Sequence, residues 1–298
     1  MASRIALITG CSSGIGMETA LRLAQRSKDP ITVYATMRKM TSRDDIDLRA
    51  GDSLDKTLFV RRLDVTKEDT IVDVVSHIKS LHGRLDILVN NAGIAGPCIL
   101  EATDLNIFRK MFETNFFGAV RLTQEVLPIM KKQRSGRIVN ISSIAGFAGF
   151  PFYELYGSSK FALEGFTESL AMICRRFNIW VTSVQPGPVL TKVEHNPDIS
   201  DDLLAQLGNE EVDEETRNVF RDRIELRKRT LQDIAQPVDE VVDIIEGIID
   251  DEKPLLRYQT SESSREMARI RAQDPTGDAW IESCLNPNTY HLHNDRDK

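Results

Sequence analysis

The sequence predicts an α/β protein: one doubly wound parallel sheet with helices on both faces, forming a single domain with a helical C-terminal lid. Three observations predict this. Short runs rich in Val, Ile and Leu alternate with amphipathic stretches through the first two-thirds of the 298 residues. The runs are short and rich in β-branched residues, and read as buried strands of a parallel sheet covered on both faces. A glycine-rich turn stands where the first run ends and the first amphipathic stretch begins.

The strands are expected at Ile5–Thr9, Thr32–Thr36, Thr57–Leu63, Ile87–Asn90, Arg137–Ser142 and Trp180–Gln185. Between them, helical periodicity covers Gly14–Arg26, Thr66–Leu81, Leu105–Gln133 and Tyr156–Phe177. Right-handed crossovers then lead to a Rossmann-type arrangement. Along the last helix, Leu163, Phe166, Leu170, Ile173 and Phe177 read as one continuous apolar stripe. After Thr191 the chain changes character. Residues 194 to 215 are rich in Asp and Glu, and Asn218–Ile234 reads as a strongly charged helix. This stretch is either a solvated helical insertion or a mobile lid over a cleft. Asp239–Ile249 is a further amphipathic helix and Pro254–Tyr258 a last edge strand, while the polar tail past Pro275 reads as loosely held.

Composition narrows the class. A formal net charge of -7 argues against nucleic acid and anionic membrane as partners. No run approaches the ~20 apolar residues of a membrane span. The N-terminus lacks the apolar core and cleavage site of a signal peptide. Cys11, Cys98, Cys174 and Cys284 form no metal-ligand spacing, so they read as reduced cytoplasmic thiols and no metal is expected. Asn140-Ile141-Ser142 matches a glycosylation sequon but falls in an expected buried strand.

The glycine turn is Thr9-Gly10-Cys11-Ser12-Ser13-Gly14-Ile15-Gly16. Glycines there allow a pyrophosphate to approach the backbone, with the first N–H groups of the helix aimed at it. The second strand ends Tyr34-Ala35-Thr36-Met37-Arg38, with no carboxylate to hold ribose hydroxyls. Met37 stands in the slot where an NAD enzyme places an acid, and Arg38 either pairs with a 2′-phosphate or lies in solvent. NADP(H) is the cofactor this pattern favours. Asp64 and Val65 end the third strand, where Asp64 can accept from an adenine amino group. Asn90-Asn91-Ala92-Gly93 ends the fourth.

Tyr156-Gly157-Ser158-Ser159-Lys160 opens the last long helix. Positions four apart share a helix face, and a nearby ammonium favours the phenolate over the phenol. Ser143 closes the preceding strand, where its hydroxyl can hold a substrate oxygen as charge develops. Gly146–Tyr153 is strongly apolar. It is either the lining of a lipid-shaped pocket, through Phe150 and Tyr153, or a core-packing or dimer loop.

Together these motifs resemble the short-chain dehydrogenase/reductase family over residues 1 to about 191: TGxxxGxG at Thr9–Gly16, NNAG at Asn90–Gly93, YxxxK at Tyr156–Lys160 and Ser143 upstream. The resemblance implies a fourth catalytic residue at Asn115, on the long helix, holding a water in a proton relay through Lys160. It implies that Pro186-Gly187-Pro188-Val189-Leu190-Thr191 lies beside a nicotinamide, with Pro186, Gly187, Val189 and Thr191 as contacts and Gly187 also facing substrate. The chain further resembles the group uniting 17β-hydroxysteroid dehydrogenase type 1 with photoreceptor-type retinol dehydrogenase. Tyr34–Arg38, Lys160–Gly165 and Leu256-Arg257-Tyr258 carry that likeness, and Thr114–Leu122 leans to the retinol side. The steroid branch places a histidine in its lid. Here no histidine lies between His195 and His291, and the position falls near Glu225.

The resemblance therefore implies an NADP(H)-dependent oxidoreductase of a lipophilic alcohol or carbonyl, a retinoid or a steroid, built as a cytoplasmic homodimer. Residues 1–191 would form the dinucleotide-binding and catalytic core and 192–298 the substrate lid and extension. The rival from another class is a redox sensor that binds NADP(H) without turnover. It is disfavoured because Asn115, Ser143, Tyr156 and Lys160 are all present.

Overall fold

The computed structural model describes residues 3–191 and 206–285, and side chains at all of these except 228 and 230–233. The acidic stretch from 194 to 205, His195 and His291 lie outside the described residues. Seven strands pair in parallel in the order β3-β2-β1-β4-β5-β6-β7. They are β1 (Arg4–Ile8), β2 (Ile31–Met37), β3 (Leu58–Arg62), β4 (Ile87–Asn90), β5 (Gly136–Ile141), β6 (Ile179–Gln185) and β7 (Arg257–Gln259). The order reverses between β1 and β4, which opens a crevice at their C-terminal ends.

Strand alternation sorts the core into two layers. Ala6 and Ile8 of β1, with Val33, Ala35 and Met37 of β2, face one layer. That layer holds α1 (Gly14–Ala24), α2 (Asp44–Ala50) and, from far along the chain, a helix at Val238–Asp250. Ile5 and Leu7, with Tyr34, face the other layer, built from α3 (Glu68–His82) and the long helices beyond β4. The Val238–Asp250 helix buries Val241, Ile245, Ile248 and Ile249 against the α1 side. Ion pairs cross the same seam: Arg22 to Asp239 (2.8 Å) and Asp243 (2.7 Å), and Arg26 to Glu246 (2.9 Å).

Three sequence expectations need correction. The helix expected over Leu105–Gln133 is α4 (Leu105–Phe112), a π-turn (Glu113–Phe117) and α5 (Gly118–Gln133). The wider turn brings Asn115 inward, where it is buried and bonded across to neighbouring loops. The apolar stripe on α6 (Glu154–Cys174) is not continuous. Leu163 is buried, Phe166 meets Phe116 edge-on, and Ile173 is exposed, because the buried face runs Leu163, Thr167, Ala171 and Cys174. The described chain past Pro275 includes a helix. After α7 (Glu214–Ile234), α8 (Val238–Asp250) and α9 (Glu262–Gln273), a further helix, α10 (Asp278–Leu285), docks with Trp280 buried. A large indole ring beside apolar neighbours outweighs the polarity of the residues around it.

A buried polar row crosses the sheet. Asn90 Nδ2 donates to Asn140 Oδ1 (2.8 Å) and Thr123 Oγ1 (3.2 Å), and Asn140 Nδ2 donates to Thr167 Oγ1 (2.8 Å). The sequon asparagine is therefore a core residue that ties β4 to β5 and α6. Asn140→Ala would strip two buried partners at once, and leaving such groups unsatisfied costs about 1–3 kcal/mol each. The denaturant midpoint should fall measurably, with the slope of the transition unchanged. An unchanged midpoint would show that the row does not stabilise the sheet.

Candidate active site

The loops leaving the C-terminal ends of β1 to β6 converge on one cavity of about 730 Å³. From the β1 turn, Gly10, Ser12, Ser13, Gly14 and Ile15 line it. Thr9 and Gly16 stand behind that wall. Thr9 Oγ1 accepts from the backbone N–H groups of Asn91 and Ala92, both at 3.0 Å, and Asn91 Nδ2 donates to Thr9 O at 2.8 Å. A Cβ on Gly16 would lie 2.3 Å from Asn91 Nδ2 and 2.7 Å from Gly10 O, so only glycine lets the Asn91 loop seat there. Gly10 has φ +71° and would place a Cβ 2.9 Å from Ala92 Cα. Ser13 precedes α1 without a side-chain cap, and the first turn carries no acidic residue. The positive end of the helix therefore meets the cavity uncompensated, the setting an anionic group needs. Bare α-carbons plus such a helix end fit a dinucleotide pyrophosphate.

At the far end of this cradle, Arg38 lines the cavity together with Lys39 and Ser42, two residues the motif reading missed. The Met37 side chain does not line the cavity: it is 1% exposed and packs in the α1-side core with Val33 and Ala35. Strand parity turns its side chain inward, and the chain leaving β2 sets the exposed Arg38 at the cavity. Asp64 and Val65 also line the wall. The Asp64 carboxylate accepts from Thr66 N (3.0 Å) and Thr66 Oγ1 (2.8 Å), which folds the chain after β3.

At the other end, Ser143, Tyr156 and Lys160 share the cavity with Asn91, Ala92 and Gly93. Ser143 Oγ accepts from Ala145 N (3.1 Å) and caps the short turn after β5. Lys160 Nζ lies 5.8 Å from the Tyr156 ring centroid, and donates to Ile141 O at 2.8 Å. Burial pushes the Lys160 ammonium down to about 8, while the Glu164 carboxylate one turn away acts in the opposite direction. Glu164 is held by Ser183 Oγ and by Arg257 Nε (2.9 Å). Asn115 does not line the cavity. Its Oδ1 accepts from Ile94 N (2.8 Å), and its Nδ2 donates to Ile94 O (2.9 Å) and Ser159 Oγ (3.0 Å). A Cβ on Gly93 would lie 3.4 Å from Asn115 Oδ1 and 3.7 Å from Lys160 Nζ, so the two side chains converge on that bare glycine.

The remaining wall is mixed. Phe150, Tyr153, Pro186, Gly187, Val189 and Thr191 line it as the motifs suggested. Arg223, Ile224, Leu226 and Arg227 of α7, and Ser263, Ser264 and Met267 of α9, line it without having been foreseen. Glu225, the expected lid position, is exposed; its neighbours face the cavity instead. Among the described residues no helix is long and apolar enough to cross a membrane.

A nucleotide-shaped cradle running into a buried serine and lysine with a partly buried tyrosine suits transfer of a hydride and a proton to a carbonyl. The family model for short-chain dehydrogenases matches residues 4–201. Retinol dehydrogenase 8 of Homo sapiens is 41% identical over 286 residues, covering 94% of this chain and 88% of that protein. Estradiol 17-beta-dehydrogenase 1 of Rattus norvegicus is 35% identical over 293 residues, covering 95% and 81%. The solved structure of ElxO with NADP bound matches with a TM-score of 0.71 at 28% identity, covering 89% of this chain and 100% of that one. The chain belongs to the short-chain dehydrogenase family.

The lowered Lys160 value sets a pH limb. Below about 8 the ammonium is retained; above it the buried amine is neutral and has no proton to supply to a reacting group. Carbonyl reduction at saturating cofactor should therefore fall as pH rises through about 8. Lys160→Met should be slow at every pH, with that limb gone. A wild-type rate that is flat from pH 7 to 9.5 would contradict the assignment.

Proposed function

We propose that this protein interconverts a lipophilic alcohol and its carbonyl, with NADP(H) as hydride carrier and a retinoid as the first substrate class, ahead of a steroid. The observation that carries the reading is the placement of Tyr156 and Lys160 at the junction of the nucleotide cradle and a wall built from Phe150, Phe152, Tyr153, Ile224 and Leu226. The absence of a lid histidine at the Arg223–Arg227 turn, and the identity to retinol dehydrogenase 8, support retinoid over estrogen.

Bound NADPH would supply the hydride. Thr9, Gly10, Ser12, Ser13, Gly14, Ile15 and Gly16 would form the pyrophosphate seat, Arg38 the 2′-phosphate contact, and Asp64 and Val65 the adenine wall. Asn91, Ala92, Gly93, Pro186, Gly187, Val189 and Thr191 would hold the nicotinamide end. Ser143 Oγ holds the substrate oxygen. Tyr156 gives that oxygen a proton during reduction and removes one during oxidation. The Lys160 ammonium stabilises the resulting phenolate and returns the proton. Asn115 holds the π-turn beside Lys160, fixing the end of the path by which protons reach the lysine. The exposed Phe117 at the start of α5, and Phe161, Met172 and Ile173 on α6, support a homodimer through α5 and α6. We place the protein in the cytoplasm, with residues 1–191 as the catalytic core and 192–298 as lid and extension.

Two measurements test this. Tyr156→Phe keeps the ring but removes the ionisable oxygen, and should cut turnover of all-trans-retinal by at least the ~10²-fold typical of a lost acid–base group while NADPH still binds. Full activity would exclude Tyr156 as proton carrier. Arg38→Ala should weaken NADPH and leave NADH nearly unchanged. A charged hydrogen bond contributes roughly 1.5–3 kcal/mol when buried, and exposure of Arg38 reduces this, so about tenfold is expected. Equal affinities of the wild type for both cofactors would refute the phosphate contact.

A further inference from the structure

We propose that Trp280 is a specificity-determining positioning residue: it ties the substrate-side turn to the lid helix and so fixes the width of the substrate cavity. This rests on the reading of that cavity given above.

The substrate-side turn runs from Gly149 to Tyr153. Phe152 within it has φ +65°, a left-handed conformation that bulky residues rarely adopt. Local preference does not hold this turn; contacts from elsewhere do. Phe152 O accepts from Cys98 N (2.8 Å), and the Phe152 ring packs edge-on against Phe220 of α7 with centroids 4.9 Å apart. A further outside contact is Trp280. Its Nε1 donates to Gly149 O at 2.8 Å, and its ring stands at 85° to Phe150 with centroids 5.6 Å apart.

The helix that carries Trp280 reaches the opposite wall as well. Arg223 of α7 donates from Nη2 to Cys284 O, one turn beyond Trp280. The start of α10 is fixed by Asp274, whose carboxylate accepts from Ala279 N (2.9 Å) and from Thr276 N (2.9 Å) and Oγ1 (2.6 Å). Both walls of the cavity are thus attached to one short, anchored helix.

The turn leads directly into the catalytic helix. Tyr153 O accepts from Gly157 N at 2.7 Å, and the Tyr153 ring lies edge-on to Tyr156 at 6.4 Å. Trp280 is not part of the cavity wall itself. It acts through Phe150 and Tyr153, so its loss should loosen the grip on substrate far more than it slows proton transfer at Tyr156 or weakens the cofactor on the other side of the cavity.

The test uses the full chain as wild type, Trp280→Phe and Trp280→Ala, with NADPH and either all-trans-retinal or estrone, whichever the wild type reduces. In Trp280→Ala, KM for the carbonyl should rise about tenfold or more, kcat should fall less than threefold, and NADPH affinity should stay within twofold. Trp280→Phe retains a ring against Phe150 but has no N–H for Gly149 O, and should raise KM about threefold. Hydrogen exchange needs no substrate: amides of 148–153 should exchange at least severalfold faster in both variants, with those of 10–16 unchanged. Wild-type KM and wild-type exchange at 148–153 in the variants would overturn the proposal. So would loss of NADPH and carbonyl affinity in equal measure with faster exchange throughout, which marks a residue that only stabilises the fold. Should Trp280→Ala fail to fold, Trp280→Phe decides by the same exchange criterion. A wild type that binds NADPH but reduces neither carbonyl counts against the substrate reading alone, and exchange then decides the role of Trp280.

Discussion

The seating of the Asn91–Gly93 loop against the first turn is the contact on which the rest of the site depends. It occurs where the strand order reverses, so two neighbouring chains leave the sheet in directions that would otherwise diverge. The Thr9 hydroxyl, with two backbone N–H groups directed at it, closes that gap. From there the connections run in series. Ile94 follows the loop and is held at both its N–H and its carbonyl by the Asn115 amide. The same amide reaches Ser159 Oγ, which in turn donates to Tyr156 O at 2.7 Å. The cradle and the proton-bearing tyrosine, on elements almost 150 residues apart, are therefore linked by a short chain of hydrogen bonds.

Lys160 shows how burial and chemistry are balanced there. An ammonium at 5% exposure is unfavourable by itself. One carbonyl, Ile141 O, and one carboxylate, Glu164, compensate it only in part. Partial compensation leaves a cation able to give up its proton near neutral pH, which a fully paired lysine would not do. Arg257 on β7 holds Glu164 in place, so the last strand of the sheet contributes to the electrostatics of a residue introduced a hundred positions earlier.

The strands, the crossover topology and the motif residues were legible because they follow from local rules: parity in a strand, glycine where backbone must approach backbone, and four-residue spacing on a helix. What was not legible depended on contacts between distant segments. Met37 has the right chain position for a cofactor contact, but its orientation is set by the register of the whole sheet. The π-turn at Asn115 has no signature in helical periodicity, since one widened turn shifts the buried face without changing the residue types around it. Helix α9 went unread because its composition is mostly polar and charged, although Ser263, Ser264 and Met267 reach the cavity. The tail was misjudged because eight residues are too few to give a periodic signal, yet their tryptophan is enough to dock a helix.

The union of α1 with α8 has a consequence for how the chain is made. Some 200 residues separate these partners. At about 5–20 residues per second, roughly 10–40 s pass between the ribosome's release of α1 and the arrival of the helix that covers it. Throughout that interval the α1 layer has an open apolar flank, and β6, once made, waits about 70 further residues for β7. Vectorial synthesis can therefore assemble the β1–β4 crevice early but cannot close the domain until nearly the whole chain has emerged.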